Sequence, residues 1–103
     1  MPGLLNAINA CEVHYWIVRK RGRSRADRFV RALGARGLDL VESVSMWPTA
    51  SAVIVEYNPS LADAFALATA IEHNGVLIAG GDDDWDDPIA DGHAIERFRA
   101  GSS

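Results

Sequence analysis

Asn58-Pro59-Ser60-Leu61-Ala62-Asp63-Ala64-Phe65-Ala66-Leu67-Ala68-Thr69-Ala70, followed by Val76-Leu77-Ile78-Ala79-Gly80-Gly81-Asp82, puts a helix and a strand in close succession. Leu61, Ala64, Phe65, Ala68 and Ile71 recur on one helical face between Ser60 and His73, and Asn74-Gly75 then supplies a helix stop. Ser60-Leu61-Ala62-Asp63 has the form of a capping box with Asp in the third helical place, so Asp63 has a structural role open to it as well as a chemical one. Val76 to Ala79 is short and wholly apolar, which fits a strand of a parallel sheet covered on both faces.

The same alternation extends outward in both directions. Leu4 to Asn9 is a short apolar segment that reads as a buried strand, and Ala10 to Arg19 reads as a helix, with the join near Asn9. Gly22 breaks the pattern, Ser24 can cap a second helix, and Phe29, Val30 and Leu33 give that helix an apolar stripe up to Gly34 and Gly37. Leu38 to Val44 alternates with the period of a strand. Over Ala52 to Tyr57 propensity points to a strand, whereas Pro48 suits the first turn of a helix, so these residues alone leave the segment open. Ala94 to Phe98 reads as a final strand and 99–103 as a loose tail. Strands alternating with helices predict an α/β sandwich with a largely parallel sheet, and 103 residues leave room for a single domain spanning 1–103.

The composition, 49% hydrophobic and 23% charged, is that of a globular chain able to bury a core and excludes a disordered tail or a fibre. No apolar run approaches the roughly 20 residues that cross a bilayer, which excludes a membrane-spanning helix. The opening Met1-Pro2-Gly3-Leu4-Leu5-Asn6 has no basic leader, and the lone Cys11 has no partner for an intrachain disulfide, so the cytoplasm is the expected compartment. Residues 1–50 hold 8 Lys and Arg against 4 Asp and Glu, whereas 51–103 hold 2 against 10. Arg19, Lys20, Arg21, Arg23, Arg25, Arg28 and Arg31 thus form a basic stretch, and Asp82, Asp83, Asp84, Asp86, Asp87 and Asp91 an acidic one. A basic stretch near an acidic pocket suits a phosphodiester held beside metal ions, although from charge alone two solvated surfaces are the simpler account.

In a parallel sheet with helical crossovers, ligands bind beyond the carboxyl ends of the strands. Glu12, Asp63 and Asp82 all fall at such places in the predicted order of elements. Brought together, their carboxylates repel one another and need a divalent cation, and ligation by oxygen alone favours Mg²⁺ or Mn²⁺ over zinc. Taken singly, Glu12 also reads as an exposed helix residue and Asp82 as one more loop acid. Other chemistries fit less well. A calcium loop starting at Asp82 would need glycine where Asp87 stands and a bidentate acid where His93 stands. His14, His73 and His93 with Cys11 lack zinc-ligand spacing, and Cys11 has no general base nearby, so a buried small side chain is its expected role. Gly80-Gly81 is not followed by the Lys and Ser/Thr of a phosphate loop. Tyr15 and Trp16 beside Arg19, Lys20 and Arg21 offer base stacking and RNA phosphate contacts, but core packing or an oligomer contact is the commoner role for such aromatics.

The Ser60-Leu61-Ala62-Asp63-Ala64 helix start, the apolar strand running into Gly81-Asp82, and the acid and aromatic at Asp84 and Trp85 together resemble the C-terminal half of PIN-domain nucleases. Ala7-Ile8-Asn9-Ala10-Cys11-Glu12-Val13-His14-Tyr15-Trp16 is similar to that family's strand and Glu-bearing helix. The resemblance implies a PIN-like three-layer α/β/α sandwich and a ribonuclease of VapC-like toxin type, in which Mg²⁺ or Mn²⁺ held by acids activates water against a phosphodiester. Carried over residue by residue, Glu12, Asp63 and Asp82 are the catalytic and metal-binding acids and Asp84 an accessory ligand. It also implies a helix from Met46 to Tyr57, a cognate antitoxin as partner, and a homodimer as a further assembly. The chain departs from the family at Gly80, where a hydroxyl residue is usual. It departs again before Leu4, where the family's first strand with its Asp, and the helix after it, have no counterpart, which reads as an N-terminal truncation. A nuclease-like binding module that captures an antitoxin or a sister chain without cutting is therefore the alternative, with a small regulatory α/β domain third.

Overall fold

The computed structural model describes residues 3–79 and 85–97. Strand β1, Gly3–Asn6, leads directly into helix α1, Ala7–Arg21. The helix begins three residues earlier than the apolar pattern predicts because the Asn6 side chain caps it, accepting the backbone N–H of Ile8 at 2.8 Å. Gly22, at φ +92°, turns the chain into α2, Arg23–Arg31, in a backbone conformation that side-chain-bearing residues rarely adopt. Gly22 itself is the cap residue, and Ser24, expected to cap, lies inside the helix with no capping bond. A 3₁₀ turn over Gly34–Arg36 leads to β2, Leu38–Val41, which is shorter than the predicted alternation because Val44–Met46 winds into a second 3₁₀ turn.

Helix α3, Trp47–Tyr57, takes up the segment whose propensity favoured a strand, with Pro48 in its first turn. It ends at Asn58, whose left-handed backbone, φ +53°, lets its N–H reach the Ile54 carbonyl at 2.8 Å. Helix α4, Leu61–Glu72, starts where expected, with the Ser60 hydroxyl accepting from the Asp63 N–H at 3.2 Å. Strand β3, Leu77–Ala79, a short helix α5, Asp86–Ala90, and strand β4, Ile95–Arg97, complete the described elements. The acidic loop was not expected to hold a helix; α5 forms with Asp86 and Asp87 in its first turn, where carboxylates are favoured.

The fold is mixed α/β with parallel strand pairing, as the alternation predicts. Leu5 pairs with Leu40 in β1 and β2, and Ile78 with Glu96 in β3 and β4. Instead of one continuous sheet, the described strands form two separate parallel pairs. Helix α4 packs against both β1 and β3, so a helix rather than a backbone ladder links the pairs. Its own packing is wider than the predicted stripe. Ala64, Phe65, Leu67, Ala68 and Thr69 are buried, while Leu61 and Ile71 lie at the exposed edges. Ala50 and Val53 of α3, with Met46, Ala79 and Trp85, close a core around α4. Cover on both faces of β3 does not hold among the described residues. Leu77 and Ala79 turn toward the core while Ile78, on the other face, is 58% exposed, because alternate side chains of a strand point to opposite sides.

Charge is paired locally rather than across the two halves. Among the described residues His14 meets Asp27 and Arg97 meets Asp86, and in each case both partners come from the same half of the sequence.

Candidate functional site

Glu12 stands on α1 with its side chain exposed, in the second turn after the carboxyl end of β1. Asp63 stands half-buried in the first turn of α4, where the helix N-terminus favours a carboxylate. These two helices pack together, and one hydrogen bond fastens them at the relevant place. Asn9 Nδ2 donates to the Ala62 carbonyl at 2.9 Å. Asn9 lies three residues before Glu12 on α1, and Ala62 is the chain neighbour of Asp63, so this bond holds the Glu12-bearing turn against the Asp63-bearing turn. The donors offered are carboxylate oxygens, a set that favours a hard divalent cation over zinc. Asp82 and Asp84, the remaining predicted acids, lie outside the described residues. Among the described residues no three acid, histidine or cysteine side chains converge on a common point, and of the predicted acids Glu12 and Asp63 are the ones described.

Behind the acids the carboxyl end of β1 is held by a buried polar knot. Asn6, 2% exposed, accepts from Ser43 Oγ as well as from Ile8 N–H, and its Nδ2 lies 3.1 Å from Thr69 Oγ1 and 3.3 Å from the Met46 sulfur. Thr69 in turn donates to the Phe65 carbonyl at 2.8 Å. Every polar atom of the Asn6 side chain is thereby used, which is what makes its burial tolerable. Neither Asn6 nor Asn9 stood out in the sequence as a site-building residue. The available signal was an amide ending an apolar strand and a second amide at helical spacing ahead of Glu12.

Two expectations for α1 are corrected. Tyr15 and Trp16, for which core packing or an oligomer contact was the commoner reading, are 44% and 58% exposed, which overturns the core half of that reading, and the Arg19 guanidinium lies 5.0 Å from the Tyr15 ring centroid. Cys11, expected to be buried, is exposed, because α1 turns Asn9 and Val13 toward the protein and Cys11 away from it. Arg19, Lys20 and Arg21 are exposed in the last turn of α1, where cations complement the helix dipole. The histidines serve local structure. His14 Nε2 lies 2.9 Å from Asp27 Oδ1 and holds that carboxyl below its ordinary range, and His93 meets the Tyr57 ring edge-on. Tyr57 donates to Asp91 Oδ2 at 2.7 Å, and this bond pushes the phenol up to about 12. No described helix is long and apolar enough to cross a membrane.

No curated protein and no solved structure matches the chain. The family model of the PIN domain matches residues 2–88, most of the sequence and the whole stretch from β1 through Pro88 of α5. The chain belongs to the PIN domain family.

Proposed function

We propose that this protein is a divalent-metal-dependent endoribonuclease of VapC-like toxin type, with Glu12, Asp63 and Asp82 as the acids that hold Mg²⁺ or Mn²⁺ and Asp84 as an accessory ligand. Membership of the PIN domain family supports nuclease chemistry. The observation that carries the site assignment is the Asn9 bond to Ala62, which ties the helix of Glu12 to the helix start of Asp63. When bound, a divalent cation would offset the mutual repulsion of the carboxylates and stabilise negative charge on a phosphodiester. The chain's own residues present the oxygen ligands, keep two of them on rigid helices and leave Glu12 open to solvent and substrate. A cognate antitoxin is the natural partner on this reading, and a second copy of the chain a further one.

The test is cleavage of single-stranded RNA by the full chain with Mn²⁺. Activity is expected to fall to background on EDTA addition and in Asp63→Asn and Asp82→Asn, with the circular dichroism spectrum unchanged. Full residual activity in both variants would overturn the assignment. Capture of an antitoxin peptide with no cleavage under any metal would favour the non-cutting binding module instead.

A further inference from the structure

We propose that the outward stripe of α1, Glu12, Tyr15, Trp16 and Arg19, is a base-stacking subsite that seats an unpaired nucleotide of single-stranded RNA beside the candidate acids. The proposal rests on the nuclease reading for the role of Glu12. The stacking surface itself stands on separate observations. Positions 12, 15, 16 and 19 recur at the spacing that places side chains on one helical face, and all four are exposed. Large aromatics on such a face leave much apolar surface in water, which marks binding surfaces more often than solvated ones. Glu12, Val13, Tyr15 and Trp16 line one shallow, open depression along the surface of α1, so the aromatic side chains and Glu12 face the same stretch of solvent. Arg19 lies over the Tyr15 ring, which orients its guanidinium while leaving N–H groups free for a phosphate.

Charge selects the occupant. Lys20 and Arg21 follow Arg19 in the last turn of α1, and Arg23 and Arg25 continue on the exposed side of α2. A polyanion with stackable faces matches aromatics flanked by cations. In a duplex the base faces are hidden in the stack, whereas an unpaired strand can offer them to Trp16. A second copy docking through the same stripe would bring this basic set against itself, because a two-fold contact joins like patches.

The experiment uses the full chain in EDTA, so that binding is read without cleavage, with a short fluorescent oligoadenylate RNA as a single strand and again paired with oligouridylate. Trp16→Ala is expected to weaken single-strand binding about tenfold, the scale of one lost stacking contact, and to leave duplex binding unchanged. Trp16→Phe, which keeps a ring, is expected to retain most of the affinity, and Arg19→Gln to lower the salt dependence by about one phosphate contact. Unchanged single-strand affinity in Trp16→Ala, or an equal loss for duplex, would overturn the proposal. So would sedimentation showing that Trp16→Ala splits a dimer while RNA affinity stays the same. Failure of the nuclease reading is separable: if Asp63→Asn still cleaves in Mn²⁺ while binding still depends on Trp16, the acid assignment falls and the stacking subsite stands.

Discussion

Asn6 shows how one polar side chain can decide where a strand stops and a helix starts. It sits 2% exposed with both its amide nitrogen and its oxygen engaged, joining β1 to Ser43, Met46 and Thr69. Asn6→Ala removes the α1 cap and the buried amide bond to Thr69, and leaves the half-buried Ser43 hydroxyl without its acceptor, so a loss of about 2 kcal/mol is expected in urea unfolding. Asn6→Asp is expected to be destabilising as well, since a carboxylate cannot donate to Thr69. Tyr57 makes a second residue-level prediction. Its bond to Asp91 raises the phenol from 10.0 to about 12, so the protonated form is the one the fold favours. Its contribution to stability is therefore full below pH 10.0 and is lost as pH rises through about 12. Alkaline titration of phenolate absorbance should show this late step, and Tyr57→Phe should abolish it. At this scale the sequence reading placed Glu12 on the first helix and Asp63 in the first turn of α4, and both lie there. It missed Asn6 and Asn9: the Asn6 cap on Ile8 is local and was open to reading, but their partners 63 and 53 residues away are not.

At the scale of elements, α4 was legible throughout. Its Ser60 cap and its Asn74-Gly75 stop are local properties and appear where the pattern puts them, and Ala64, Phe65 and Ala68 of the predicted stripe are buried. Helix α3 was not. Ala52 to Tyr57 carries the β-branched residues of a strand, Pro48 alone among the residues suggested a helix, and the family resemblance decided for it. Burial of Ala50 and Val53 against α4, with Pro48 starting the helix and Asn58 ending it, outweighs a propensity difference of a few tenths of a kcal/mol per residue. The cap can be tested directly. Asn58 holds φ +53°, so Asn58→Val should cost about 1 to 2 kcal/mol in thermal or urea unfolding, whereas Asn58→Gly should be neutral or mildly stabilising. A destabilised Gly variant would mean that the Asn58 side chain, and not its backbone, holds the end of α3.

Across the whole molecule stability is uneven. The core runs through α3, α4, β3 and Trp85, while α2 buries only Ala26 and rests on α1. The His14 and Asp27 contact bridges α1 and α2, and His14 holds the Asp27 carboxyl below its ordinary 3.8. The ionised acid is the favoured form, so this contribution is present above pH 3.8 and is lost as pH falls through the lower folded value. Amide hydrogen exchange should accordingly show α2 opening well before α3 and α4, with a further loss of protection in α2 on acidification. His14→Ala should remove the acid-dependent part and leave the α4 amides as slow as before. Uniform exchange across α2 and α4 would show instead that the helices unfold as one unit.

What the sequence by itself determined was short-range: the α/β alternation, the start and stop of α4, the apolar strand after it, and the helix that bears Glu12. Periodicity and capping act over one or two turns, so they can be read from neighbours along the chain. Tertiary structure alone decided that α4 links two parallel strand pairs, that Asn6 is buried and Trp16 exposed, and that Asn9 fastens the turn of Glu12 to the turn of Asp63. These features depend on which distant surfaces meet, and an α1 face reads the same in one dimension whether it turns toward a core or toward a ligand.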